Sequence, residues 1–173
     1  MCTGIQRVAL LAVLLTAPAR PVNAQGISGE LFAGGGAFAC CEGTASAWEV
    51  GAGVIVPVGR AASISATIGG IGPVGEGIVR EHSGYVVFGK VPVGSLSGAY
   101  HFRPMPHRLR PFVAAGVGTG ISGDVAVGGL NFGGGVDFWT SERRGLRIEL
   151  HDQLLQEFGT THVVVMRIGL LVR

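Results

Sequence analysis

Three places in this sequence set a base beside a carboxylate or a hydroxyl: His151-Asp152, His162 next to Thr160 and Thr161, and His82-Ser83. Nucleophilic catalysis needs a hydroxyl within reach of a base and a third group that orients the base. None of the three spots supplies all of those parts in one stretch, and His82-Ser83 is an easy coincidence in a loop. The run Gly118-Thr119-Gly120-Ile121-Ser122-Gly123 spells G-x-G-x-x-G, which binds a pyrophosphate only where a helix follows and presents its N-terminus. Asp124-Val125-Ala126-Val127-Gly128-Gly129 cannot be that helix, so the run reads as a loop between two strands. The five histidines have no metal-ligand spacing, and His101 and His107 read as solvated at a turn. Cys40 and Cys41 are neighbours, too few for a structural zinc site, and read as a pair in a loop. The expectation is a chain without catalytic residues, cofactor or metal.

The elements that would carry any such groups follow from composition. Glycine makes up 31 of 173 residues, far above the usual share of about 7%. Charged residues are 14%, against about 25% in ordinary soluble domains. Such a hydrophobic, weakly charged chain is not disordered. Glycine at this density opposes long helices, since each costs about 1 kcal/mol relative to alanine. No stretch reaches the roughly 20 apolar residues of a membrane helix. The formal charge of +2 is too small to call for a nucleic-acid partner.

The N-terminal segment reads as an export signal rather than as part of the fold. Arg7 supplies the positive region, Val8 to Ala17 the apolar region, and Val22-Asn23-Ala24 a small-x-small cleavage site. Residues 1–24 are therefore assigned to a cleaved Sec-type signal peptide and 25–173 to a single domain. That domain carries eleven basic and eleven acidic side chains.

Beyond Gln25 the hydrophobic period is two. Trp48, Val50, Ala52, Val54 and Val56 alternate with Glu49, Gly51, Gly53 and Ile55; Leu146, Ile148 and Leu150 alternate with Arg147, Glu149 and His151. The same pattern recurs in eight segments: 27–38, 46–57, 61–70, 88–102, 110–120, 125–139, 145–153 and 162–172. Most run about ten residues or more, the length with which a tilted strand crosses a bilayer. Leu146, Leu150, Leu154 and Phe158 also recur every four residues, so Leu154 to Phe158 is given a helical turn in the following loop. Connections after the second, fourth and sixth segments are compact. Loops near 39–45, 71–87 and 154–161 are read as the longer, outer ones.

One face of each segment is apolar and the other small or polar. A water-exposed face would carry roughly a quarter or more charged residues, and this one does not. The apolar face is therefore assigned to lipid and the small face to a crowded lumen. Parity then puts Glu49, Asp137, Arg147, Glu149 and Arg167 inside as a paired network, with Glu30 near the inner rim. An unpaired buried ion would cost several kcal/mol. Trp48, Phe102, Phe112 and Phe138 are assigned to aromatic girdles at the bilayer edges, with Phe38 and Trp139 as further candidates.

Arg110-Pro111-Phe112-Val113-Ala114-Ala115-Gly116-Val117-Gly118 resembles a strand opening found in small bacterial outer-membrane β-barrel domains of the OmpA-like class. Asn131 to Val136 and Gly145-Leu146-Arg147-Ile148-Glu149 are similar to that family's next two strands. The likeness covers about residues 88–173 in motif and the first half in pattern. Two positions depart from it: His151-Asp152 stands where relatives often carry Arg-Asp, and the chain ends Leu171-Val172-Arg173 without a terminal aromatic. The resemblance implies an all-β, eight-stranded antiparallel up-and-down transmembrane barrel, and no peptidoglycan-binding domain is expected after it. Its partners would be the lipid bilayer, the barrel-assembly machinery and a surface ligand held by the outer loops. Its place would be the outer membrane and its role structural or surface-interacting. A soluble lipocalin-like carrier, with the apolar face inward, and a lipid-modifying outer-membrane enzyme are the alternatives.

Overall fold

The computed structural model describes residues 26–40, 43–74, 78–81, 84–87, 90–102, 108–122, 125–156 and 160–173. The export signal assigned to 1–24, Cys41, His82, Ser83 and His107 lie outside these residues. The strands are β1 (Ser28–Cys40), β2 (Gly43–Val58), β3 (Ala62–Pro73), β4 (Ile78–Glu81), β5 (Gly84–Val87), β6 (Val91–His101), β7 (Leu109–Ser122), β8 (Val125–Trp139), β9 (Arg144–Gln156) and β10 (Thr160–Val172). Eight of them close into a barrel in the order β1-β10-β9-β8-β7-β6-β3-β2, while β4 and β5 pair as a separate hairpin within the β3–β6 connection. Every pairing is antiparallel, and β1 meets β10 from Gly29↔Val172 to Ala39↔His162. Closure leaves the eight barrel strands without an edge, so the backbone of each can find partners on both sides.

The alternation in the sequence becomes an inside and an outside. Leu31, Val50, Val54, Ile68, Leu96, Val117, Leu130, Ile148, Leu150, Met166, Ile168 and Leu170 all face outward and are exposed. Glu30, Glu49, Asn131, Asp137, Arg147, Glu149, Gln153 and Arg167 are buried inside. This is the reverse of a water-soluble barrel, whose polar face meets solvent.

At one end, called here the near end, lie the turns at 59–61 and 140–143, the facing ends of β6 and β7, and Ser28 and Val172. Gly59, at φ = 84°, takes the left-handed conformation that the tight β2–β3 turn needs. The β8–β9 turn is held by the Thr140 and Ser141 amides donating to the Arg144 carbonyl, and the Arg173 amide donates to the Arg143 carbonyl. That last bond ties the end of the barrel's closing strand to this turn.

The far end differs from the sequence expectation. β1 runs to Cys40 and β2 starts at Gly43, and β9 runs to Gln156 and β10 starts at Thr160. The expected long loops at 39–45 and 154–161 are therefore short. Leu154, Leu155 and Gln156 are not a helical turn: they continue β9 and pair with His162, Thr161 and Thr160. The four-residue spacing of leucines is coincidental, because residues an even number apart share a face in a strand as well. Gly118 to Ser122 likewise belongs to β7, not to a loop. The β3–β6 connection remains the long one.

Glycine is unevenly demanded by this wall. A Cβ at Gly135 would strike the Ile148 carbonyl on the neighbouring strand, whereas one at Gly98 would meet nothing. Gly135→Val is expected to destabilise the barrel by about 1–3 kcal/mol or prevent its folding, and Gly98→Val to be tolerated. Urea midpoints of protein refolded into detergent micelles would measure both.

Candidate functional site

The candidate site is the charged layer inside the barrel, and it is assembled across strands. Arg167 on β10 and Glu49 on β2 are both register partners of Gly34, on the strand between them. With no side chain at Gly34, Arg167 reaches over β1 and makes a fork-on-fork contact with Glu49. Its Nε donates to Oε2 at 2.7 Å and its Nη2 to Oε1 at 2.5 Å. Bidentate contacts of this kind fix orientation as well as charge. The Arg167 guanidinium also lies 4.7 Å from the Phe32 ring centre.

The second arginine uses the same device. Arg147 on β9 sits opposite Asp137 on β8 and opposite Gly169 on β10. Its Nε donates to Asp137 Oδ1 at 2.7 Å, and its Nη1 reaches past Gly169 to Glu30 Oε2 on β1 at 3.2 Å. A Cβ at Gly169 would come within 2.6 Å of Glu30 Oε1, so the glycine is what leaves room for that carboxylate. Arg147 covers the Phe112 ring at 4.5 Å. On β9 itself, His151 Nδ1 donates to Glu149 Oε1 at 3.3 Å, and Gly133 makes the space for that carboxylate oxygen.

The opposite wall carries hydroxyls instead of ions. Ser63, Ser65 and Thr67 on β3 and Ser95 and Ser97 on β6 line it. Thr67 and Ser95 are hydrogen-bonded at 2.7 Å, and Ser97 donates to Asn131 at 2.7 Å. A small cavity lies between the walls, lined by Ser65, Thr67, Ser95, Arg147, His151 and Arg167 among others. Towards the far end Phe38, Ala47, Ile71, Val163 and Val165 form an apolar stopper. Towards the near end Ile55, Trp139 and Leu171 form a second apolar layer, with Arg173 stacked on Trp139 at 3.8 Å.

Glu49, Asp137, Arg147, Glu149, Arg167 and Glu30 are all in this layer. Two residues join it that the sequence reading did not place there. His101 is 2% exposed, not solvated: it ends β6 on the inner face, with Nε2 3.1 Å from Ser63 Oγ and Nδ1 3.7 Å from Asp137 Oδ2. Arg110 is also buried, directly across from Asp137 in the register. Counting parity back from Phe112 and Ala114 would have found Arg110.

The aromatic assignments divide. Phe102 and Phe138 are exposed on the outside at the near end, and Tyr100 packs edge-on against Phe102 at 5.6 Å. Trp48 lies on the outer wall and donates from Nε1 to the Pro73 carbonyl at 3.1 Å. Phe112 does not belong to a girdle: it is 3% exposed, inside, beneath Arg147. It shares the inner face of β7 with Arg110 and Ala114, while Pro111 and Val113 point out. Phe38 and Trp139 are inside as well. His151 and Asp152, adjacent in sequence, point to opposite faces, and Asp152 pairs instead with His162 of the next strand, Nδ1 donating to Oδ2 at 3.0 Å.

Breaking the Arg167–Glu49 fork on one side leaves a buried charge alone. Arg167→Met is expected to cost about 3–5 kcal/mol, and the double variant with Glu49→Gln to recover most of that loss. A double-mutant cycle on urea unfolding in micelles would test this.

Compared with known protein families the sequence matches none, and no curated protein matches it either. Solved structures do match. The N-terminal β-barrel domain of Pseudomonas aeruginosa OprF is 20% identical, with 84% of this chain and 96% of that one covered and a TM-score of 0.55. Neisserial surface protein A (NspA) is 11% identical, with 84% and 95% covered and a TM-score of 0.65. Ail, the attachment invasion locus protein of Yersinia pestis, is 11% identical, with 84% and 98% covered and a TM-score of 0.51. The closed eight-stranded, all-antiparallel barrel described above is thus the fold of these small outer-membrane barrels.

Proposed function

We propose that the chain is an outer-membrane barrel, exported by residues 1–24, with a structural or surface-interacting role. The observation that carries this reading is the inverted wall, apolar outside and ionic inside. Strands of 11 to 16 residues, at about 2.5 Å of height per tilted residue, span the roughly 25 Å of an outer-membrane apolar band. A soluble carrier would keep its apolar face for the ligand and its polar face for water, and the outward residues argue against it.

Surface interaction falls to the far end, because the β2–β3 and β8–β9 connections at the near end are tight turns. There the β3–β6 connection, with its β4–β5 hairpin, is the one long segment. Loops held by a rigid scaffold are where binding concentrates. NspA and Ail, barrels of this fold, are named as a surface protein and an attachment invasion locus protein. A filled lumen stoppered by Phe38, Ala47, Ile71, Val163 and Val165 favours a post rather than a pore.

Cell fractionation followed by gels of boiled and unboiled outer-membrane extract tests the placement. Residence in that membrane, with faster migration unboiled, is expected. Recovery as a soluble periplasmic protein would sink the proposal.

A further inference from the structure

The outer wall has one chemical irregularity. Apart from Arg144 at the near edge, the described outward-facing positions of the barrel strands carry a charge-bearing residue type at two places, Asp152 and His162. They are on neighbouring strands and bonded to each other. Their register partners Phe132, Val164, Leu154 and Ala39 carry no charge. Ionisable groups on a lipid-facing wall are costly at the bilayer midplane and cost little at its edge, so the height of the pair decides how it is read.

Their height says what they can touch. Trp48 stands ten residues above Val58, the near end of β2, and His162 stands ten residues above Val172, the near end of β10. At about 2.5 Å per residue both lie some 25 Å up, at the far edge of the apolar band. That is where acyl chains give way to headgroups and where the acyl ester carbonyls of a lipid lie, within reach of water. Asp152 holds His162 by Nδ1–H, which leaves the other ring nitrogen, Nε2, as the acceptor; the imidazole side chain is 45% exposed. A carboxylate fixing one nitrogen while the other faces the reactant is the arrangement of a histidine general base.

We infer that Asp152 and His162 form a general-base pair on the barrel's outer wall that hydrolyses an acyl ester of an outer-leaflet lipid. The inference goes beyond the surface role and rests on the proposed membrane placement. Water is the nucleophile. His162 Nε2 takes one of its protons as the oxygen adds to the ester carbonyl. The tetrahedral adduct collapses, the bond to the alcohol oxygen breaks, and Nε2 returns the proton to that oxygen. The products are a carboxylic acid and the deacylated lipid alcohol. His162 is the catalytic residue and Asp152 a positioning residue.

The test is release of free fatty acid by the full-length protein. It is reconstituted with vesicles of diacylphosphatidylethanolamine and, separately, with lipopolysaccharide micelles. Release from either supports the inference and identifies the lipid. His162→Gln should lower the rate about 100-fold or more, and Asp152→Asn should lower kcat with KM unchanged. Both variants should keep the unboiled gel mobility of the folded barrel. No release from either lipid by folded wild-type protein overturns the inference, as does release that His162→Gln leaves intact. Fractionation tests placement separately, so failure of the two readings is distinguishable.

Discussion

An eight-stranded barrel has an interior only just wide enough for side chains, and this chain puts arginines there. The structure depends on how that is made possible. Each long ion crosses an intervening strand at a position without a side chain: Arg167 passes Gly34 to reach Glu49, and Arg147 passes Gly169 to reach Glu30. A methyl group at Gly169 would occupy the space of the Glu30 carboxylate, and the pair would lose the contact that compensates its desolvation. The lumen's glycines serve here as vacancies assigned to particular neighbours.

The outer wall asks much less of its residues. Any apolar side chain of moderate size suits it, from Val50 to Met166, because an outward side chain has no facing partner whose shape it must fit. Specification is thus concentrated on one face of each strand. The inner face is layered along the barrel axis: an apolar stopper, the ionic and hydroxyl layer, then a second apolar layer around Trp139. The two caps keep the ionic layer in a low-dielectric setting, where a paired ion is held firmly and an unpaired one is costly.

The alternation of Trp48 to Val56 and Leu146 to His151 made the strands, their faces and the inward charges legible. Period two is a property of backbone geometry and needs no partner to be seen. What required the partner was less visible. Which carboxylate each arginine meets depends on register, and the bridging glycines look like any others in a chain that has 31. Phe112 and His101 were misjudged by proximity to a turn, although parity along β7 and β6 turns both inward. The loop estimates at 39–45 and 154–161 failed because Ala39 and Cys40 pair with Thr44 and Gly43, and Leu154 to Gln156 pair with His162 to Thr160, as strand. The neighbouring letters His151-Asp152 suggested a couple that strand geometry forbids, while the real couple, Asp152 with His162, spans a hairpin.

The glycine-bridged arginines have a consequence for descent. Arg167, Gly34 and Glu49 constrain one another, since losing either ion strands the other charge and a Cβ at Gly34 would strike the Met166 carbonyl. The outward-facing positions are free to drift among apolar residues. A lineage of such barrels can therefore rewrite most of its letters while moving its interior only by rare concerted exchanges. Likeness in architecture can then stand beside little likeness in sequence, as it does with NspA at 11% identity and a TM-score of 0.65.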